Sequence, residues 1–392
     1  MIKKGGSKLD FIAGIPSFNN QNSISYVVEQ IGKTIENKFK GKKGIIINCD
    51  GGSTDKTEKN FLNSKTNVVK QVLRTPPDIT GKGNVFKLLF QFAKNHDAKA
   101  LIVNDSDLRS INPNWVKLQI DSISKKGFDY STPLYSRYKY DGTITNHICY
   151  PLVYGLFCRN IRQPIGGDFA FSSRLSNHWL KCKWPVNAHL FGIDIFMTTN
   201  TILGGYKICQ VNLGAKIHDA KDPSKSLSPM FRQVISTLFK IIITNKDKIN
   251  QLKKVEEVPI LGGDKLKKPQ QFAVNNEAIK NRFIEGYREH KDIIKKALPK
   301  EDFHKIRACA LHNNVCINDA WWAKIVYDYI LAYKKHESKS STILNSFVPI
   351  WFGRVHTFIN DTIDMTTEEA ETVILKQAEE FYRQRDYLLD KL

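Results

Sequence analysis

Leu101-Ile102-Val103-Asn104-Asp105-Ser106-Asp107 is an apolar run that ends in two carboxylates one residue apart. Alternate side chains of a strand share a face, so on a strand Asp105 and Asp107 point the same way and can serve one hard cation and the nucleotide it carries. The same Asp-x-Asp spacing also occurs in ordinary polar turns, so its meaning depends on the surrounding chain.

Residues 8 to about 110 alternate between strand and helix patterns. Phe11-Ile12-Ala13-Gly14-Ile15 reads as a short strand stopped by Pro16, and Ile24, Val27, Val28, Ile31, Ile35 and Phe39 then recur at helical spacing. Gly44-Ile45-Ile46-Ile47-Asn48-Cys49 is the next strand and runs into Asp50-Gly51-Gly52-Ser53-Thr54-Asp55. A turn this rich in Gly and Asp lets backbone approach a ligand, and Ser53 or Thr54 is suited to cap the following helix. Val68 to Leu73 reads as a strand, Val85 to Phe92 as a helix, and Ala100 to Val103 as the strand leading into the acidic pair. Strands separated by helices predict parallel β-α-β units with ligands bound beyond the carboxyl ends of the strands, where Pro16, Asp50 and Asp105 all stand.

The later chain is less regular. Gly-rich turns occur at Gly166-Gly167 and Gly204-Gly205, and beyond Met230 the pattern becomes helical, with Phe283, Tyr287, Ile294 and Leu298 on one stripe. Thr366 and Glu369 have the spacing of a capping box ahead of Val373 to Tyr382. Val255 to Gln271, with Pro259, Gly262, Gly263 and Pro269, reads as a linker.

With 392 residues and 41% hydrophobic content the chain has material for a sizeable core. No apolar run approaches the roughly 20 residues of a membrane span, and the basic start lacks the apolar segment of a signal peptide, so a cytoplasmic location is expected. The seven cysteines show no C-x-x-C spacing for zinc or redox work and are expected to be reduced. A formal charge of +20 favours anionic partners. Its lysines are spread along the chain without the interleaved arginine and aromatic residues of a single-strand platform, which argues against nucleic acid.

Seven stretches together resemble one family: Ile15 to Asn19, Asp50 to Asp55, Gly81-Lys82-Gly83, Asp105 to Leu108, Gln163 to Asp168, Gly192 to Ile195 and Gln210 to His218. Their order resembles the glucosyl-3-phosphoglycerate synthases and their mannosylglycerate-synthase relatives, which are retaining glycosyltransferases of the GT-A fold. The resemblance implies an α/β, Rossmann-like, mostly parallel sheet in a nucleotide-sugar transferase domain over 1–235, with a donor half over about 8–110 and an acceptor half over about 111–235. A helical C-terminal extension over 236–392 would follow, carrying the linker at about 255–271.

On the donor side, the resemblance implies that Pro16 and Asp50 frame the nucleotide base of a UDP- or GDP-hexose, with Asn19, Gly51, Ser106, Gly166 and Gly167 around it. Asp50 alone is equally read as a turn carboxylate capping the helix that follows it. Lys82 would meet the diphosphate, a flexible glycine-flanked turn bringing its point charge to the phosphates; a solvated lysine is the other reading. Asp107 and His218 would hold Mg²⁺ or Mn²⁺, with Asp105 nearer the ribose. His147, His178, His189 and His290 are read as structural. Asp168 and Asp194 stand where the family carries glutamate and would bond the sugar hydroxyls as candidate catalytic groups beside Lys82.

The acceptor side departs from the family. In Tyr140-Asp141-Gly142-Thr143-Ile144-Thr145, Thr143 occupies the position of an arginine that grips the acceptor phosphate, and Gly142 and Thr145 match. Arg137, Lys139 or Lys221 would compensate, leaving glycerate and 3-phosphoglycerate both open as the small anionic acceptor. The implied reaction is retaining transfer of a hexose, glucose first and mannose as an alternative. A polysaccharide or lipid acceptor, a basic protein without catalytic activity, and homodimerisation through the helical stripes are the remaining alternatives.

Overall fold

The computed structural model describes residues 9–96, 98–217, 223–263 and 269–392, the side chains of 223–226 excepted. Its strands are β1 Phe11–Ser17, β2 Gly44–Asp50, β3 Val69–Arg74, β4 Ala100–Val103, β5 Tyr130–Ser136, β6 Arg159–Asn160, β7 Phe169–Phe171, β8 Ile208–Ala215, β9 Glu256–Glu257 and β10 Ile260–Leu261. The first helices are α1 Ile24–Lys38, α2 Thr57–Asn63, α3 Lys82–Lys94, α4 Pro113–Ser124, α5 Tyr150–Gly155, α6 Ser173–Lys181 and α7 Ile193–Leu203. They are followed by α8 Pro223–Thr244, α9 Lys246–Gln251, α10 Asn276–Ala297, α11 Lys300–Leu311, α12 Asp319–Lys335, α13 Ser340–Asp361, α14 Thr367–Arg383 and α15 Arg385–Leu389.

The chain forms two compact units. The first comprises Met1–Ser136, Ile165–Ala220 and Val258–Gln270; the second comprises Arg137–Pro164, Lys221–Glu257 and Gln271–Leu392. The sheet of the first unit has the order β3-β2-β1-β4-β7-β5-β8-β10. Strand β7 runs antiparallel to β4 and β5, while the other pairs are parallel. This is the α/β, mostly parallel architecture expected from the alternating pattern.

The stripe of α1 explains why it lies on this sheet. Ile24, Val27, Val28, Ile31 and Ile35 are all buried, together with Phe39 just beyond the helix, in one core with Phe11, Ile46, Ile102 and Trp115. Each such side chain contributes about 1.5–3 kcal/mol relative to exposure. Strand β1 does not stop at Pro16 but continues to Ser17, paired with Asp50 of β2. Proline is tolerated because pairing with β4 ends at Gly14 opposite Val103, so no ladder bond to β4 is required at Pro16.

The division into units differs from a boundary at 235, because 137–164 folds with the helices. Tyr140 and Lys139 reach α13 and the turn after it: the Tyr140 hydroxyl donates to the Ile359 carbonyl, and the buried Lys139 ammonium donates to the carbonyls of Thr362, Ile363 and Met365. The described start of the expected linker carries two short strands: β9 pairs with β6 in the second unit, whereas β10 extends the sheet of the first. Thr366 and Glu369 form the capping box of α14. Phe283, Tyr287, Ile294 and Leu298 are buried within the second unit, and at Gly286 an added Cβ would meet Pro349 of α13 at 2.5 Å. The stripe is therefore covered by the same chain. All seven cysteines are free thiols, and among the described residues no helix is long and apolar enough to cross a membrane.

Candidate active site

The carboxyl ends of β1, β2 and β4 carry the predicted donor residues, beginning with a turn built by Asp50. Asp50 is buried, and its Oδ1 accepts from the N–H groups of Gly52 at 2.7 Å and Ser53 at 2.6 Å. One oxygen thus organises its own turn. Gly52 takes φ 96°, which only glycine adopts easily. Asn19, with φ 55°, ties the end of β1 to this turn: its Oδ1 accepts from the Thr54 N–H at 2.9 Å and its own N–H donates to Ser53 Oγ at 2.9 Å. The Ser53 hydroxyl is therefore used across the turn, and Asp55 rather than Ser53 or Thr54 accepts from the N–H of Thr57 at the start of α2. Gly51 donates to the Ser17 carbonyl at 2.9 Å, next to Pro16.

Strand β4 ends at Val103, so Asp105 and Asp107 lie on a turn and the strand alternation does not govern them. The turn is fixed from inside. Asn104 is buried and donates to Gln119 Oε1 at 3.1 Å, and the Asp105 N–H donates to Asp168 Oδ1 at 2.9 Å. Ser106 is buried beside them.

Asp105 is the centre of a charged cluster. Its Oδ1 accepts from Lys82 Nζ at 3.0 Å and its Oδ2 from Lys216 Nζ at 3.2 Å. Lys216 also donates to the Gly166 carbonyl at 2.9 Å and to Asp168 Oδ2 at 2.9 Å. Asp168 is fully buried, and its Oδ2 accepts from the Tyr135 hydroxyl as well. Its oxygens are thus engaged within the protein, where the sequence reading gave them to the sugar. Asp194, on the first turn of α7, lies 3.5 Å from Lys82 Nζ, and this Oδ1 is buried without a hydrogen-bond partner among the described residues. Burial pushes the Asp194 carboxyl up, and the opposing pull of Lys82 does not cancel it. For Asp105, burial also raises the pKa, but Lys82 and Lys216 overcome it and hold the carboxyl well below the usual range. Burial opposes the charge on Lys82, yet Asp105 and Asp194 raise its pKa above the usual lysine value.

Two glycine motifs serve close packing. At Gly167, φ 87°, an added Cβ would lie 2.2 Å from Asp105 Oδ2. Lys82 opens α3 rather than riding a flexible turn: Gly83 donates to the Leu190 carbonyl at 3.1 Å, and a Cβ on it would meet the Ala188 carbonyl at 1.9 Å. The rigid helix start sets the position of Lys82.

Asp107 is half-buried on the same turn and has an interaction partner. Two residues on, the Arg109 N–H donates to the Ile217 carbonyl at 2.9 Å, and the Ile217 N–H donates to Ser110 Oγ at 2.9 Å. His218 and Lys221 lie outside the described residues. Among the other acceptor candidates, all in the second unit, Arg137 Nε stands 3.6 Å from Asp141 Oδ2, and a Cβ on Gly142 would meet its Nη1 at 2.8 Å. Thr143 and Thr145 are buried, the Thr143 hydroxyl without a hydrogen-bond partner among the described residues. His147, His178 and His189 have packing or hydrogen-bond partners, Gln377, Cys182 and Asn84 respectively, and His290 stands beside Glu289. The residues that sequence reasoning missed are Lys216 and Tyr135. Lys216 falls inside a family-like stretch, but no local pattern marks it as the partner of a residue 111 positions away.

No protein-family model and no curated protein matches this chain. Among solved structures it is similar to glucosyl-3-phosphoglycerate synthase from Mycobacterium tuberculosis. With the complex containing Mn²⁺, uridine diphosphate and phosphoglyceric acid, the identity is 26% and the TM-score 0.48, covering 59% of this chain and 78% of that one. With the complex containing Mg²⁺ and uridine diphosphate, the identity is 26% and the TM-score 0.47, covering 59% and 79%. The complex with phosphoglyceric acid alone gives 24% identity and a TM-score of 0.48 over 59% and 79%.

Proposed function

We propose that this chain is a hexosyltransferase that moves a hexose, glucose in the first instance, from a nucleotide diphosphate sugar to glycerate or 3-phosphoglycerate with retention at the anomeric carbon. The observation that carries this reading is Lys82, a cation fixed at the start of α3 between Asp105 and Asp194, beyond the carboxyl ends of parallel strands. The sequence motifs that surround it supply the rest of the donor site.

In this reading the Asp50 turn and Pro16 hold the base, and Lys82 meets the diphosphate. Asp194, whose Oδ1 lacks a hydrogen-bond partner among the described residues, accepts from a sugar hydroxyl. Asp168 acts through Asp105 and its turn. The resemblance gives the divalent ion to Asp107 and His218, of which Asp107 stands half-buried on the turn after β4. When bound, Mg²⁺ or Mn²⁺ would supply positive charge to the departing diphosphate. The bond from the anomeric carbon to the diphosphate oxygen breaks, the bond to the acceptor hydroxyl oxygen forms on the same face, and the acceptor proton passes to the departing diphosphate. Lys82 stabilises the charge that develops on that leaving group.

The test is incubation of the protein and Mg²⁺ or Mn²⁺ with UDP- and GDP-hexoses and each acceptor, followed by mass analysis and anomeric NMR. An α-hexoside formed from an α-linked donor supports the reading. Absence of donor consumption across the panel, or an inverted product, refutes it.

A further inference from the structure

The two lysines of the cluster are not equivalent. An ammonium has three N–H donors, and those of Lys216 match three acceptors: Asp105 Oδ2 at 3.2 Å, Asp168 Oδ2 at 2.9 Å and the Gly166 carbonyl at 2.9 Å. Its side chain is 5% exposed and lies over the Tyr135 ring, whose hydroxyl donates to the same Asp168. Lys82 is 18% exposed, hydrogen-bonds Asp105 and stands at a longer 3.5 Å from Asp194. A ligand can therefore engage N–H groups of Lys82, whereas Lys216 is spent on the protein.

Lys216 ties three pieces of chain that are distant in sequence: the turn after β4, the Gly166–Asp168 turn before β7, and the end of β8. The Asp105 N–H to Asp168 bond closes the same ring. If Lys82 turns toward an incoming diphosphate, Lys216 remains as the cation that holds Asp105.

We infer that Lys216 is the positioning residue of this site, fixing Asp105 and the Gly166–Asp168 turn so that Lys82 can exchange its carboxylate partner for the donor diphosphate. This rests on the reading of the site as a nucleotide-sugar transferase. The inference extends that reading by giving the two cations separate tasks.

The test uses Lys216→Met, Lys216→Arg and the charge-balanced double variant Lys216→Met with Asp168→Asn, which removes one charge of each sign. A reacting group misplaced by about 1 Å costs on the order of 100-fold, so kcat for hexose transfer should fall about 100-fold in Lys216→Met. The KM for the donor should change far less, because Lys82 is retained, and Lys216→Arg should restore part of kcat. A crystal structure of Lys216→Met, or of the double variant if the single one does not fold, should show Asp105 displaced from its position against Gly167. Equal loss in kcat and donor affinity would make Lys216 a ligand contact and overturn the inference. So would an undisplaced Asp105, a result that does not depend on turnover. If the wild-type protein transfers no hexose while Asp105 still moves in the variant, the positioning role stands and the transferase reading fails.

Discussion

Replacing Gly167 with alanine separates the backbone role of a glycine from its role in the site. Two costs follow from the geometry. With φ 87° the new side chain sits in the left-handed region, which costs about 1–2 kcal/mol for an L-residue. Independently, the Cβ would stand 2.2 Å from Asp105 Oδ2 and 3.0 Å from its Cγ. Favourable non-bonded separations are about 3.5–4.0 Å, so the carboxylate must retreat by more than about 1 Å. Oδ2 is the oxygen that Lys216 holds, so this retreat breaks the pairing as well. Gly205 is the matched control: its φ is 68°, and nothing lies within 4 Å of the added Cβ. Urea unfolding should show Gly205→Ala destabilised by about 1–2 kcal/mol through the backbone term alone and Gly167→Ala by more than that. Hexose transfer should separate them, Gly205→Ala keeping its kcat and Gly167→Ala losing about 100-fold. Equal turnover in the two variants would refute the view that Asp105 has to stay where Gly167 allows it.

Three further outcomes can be checked directly. Lys82→Met should lower kcat about 100- to 1000-fold, the usual loss when one preorganised stabiliser of developing charge is removed, as read by steady-state kinetics at saturating donor. Asp194→Asn should raise the thermal midpoint at neutral pH. The folded-state carboxyl stands above its unfolded value, so ionised Asp194 costs stability at high pH, and that cost vanishes as pH falls through the raised value to the ordinary carboxylate range. The gain should fade over that window, and a constant gain down to acid pH would contradict it. In the second unit, the fully buried Arg354 bonds Gln377 Oε1, the Ile317 carbonyl and Asp319. Arg354→Met should destabilise by about 3 kcal/mol in denaturant titration, since breaking a buried pair leaves the remaining partners unpaired.

What was legible in the sequence is what neighbouring residues decide. Ile24, Val27, Val28, Ile31 and Ile35 share a face by helical spacing alone, and all are buried. The box from Thr366 to Glu369 closes within a single turn. The parallel order of β1, β2 and β4 followed from the helices between them. By contrast, β7 enters between β4 and β5 and runs antiparallel to both, which three residues, Phe169–Phe171, cannot announce. Strand β10 is two residues within a Pro- and Gly-rich segment whose composition signals a break, and its pairing with β8 is supplied by a distant part of the chain.

The acidic pair shows how the same distinction applies to chemistry. A period of two places Asp105 and Asp107 together only while the backbone remains a strand, and β4 ends before either is reached. What orients Asp105 instead is a bond from its own N–H to a residue 63 positions later and a cation 111 positions later. Among the 59 basic residues of this chain, composition could not single out Lys216; the convergence of three acceptors on its ammonium does. The same packing distinguishes the two aspartates that stand where the family resemblance expects glutamate. Asp168 is consumed by Asp105, Tyr135 and Lys216, so its short side chain serves the scaffold. Asp194 keeps a buried oxygen without a hydrogen bond, 3.5 Å from Lys82. A buried acceptor left in that state carries a free-energy cost that a hydroxyl donor from a bound sugar would relieve, so of the two aspartates Asp194 is the one whose replacement should alter sugar preference.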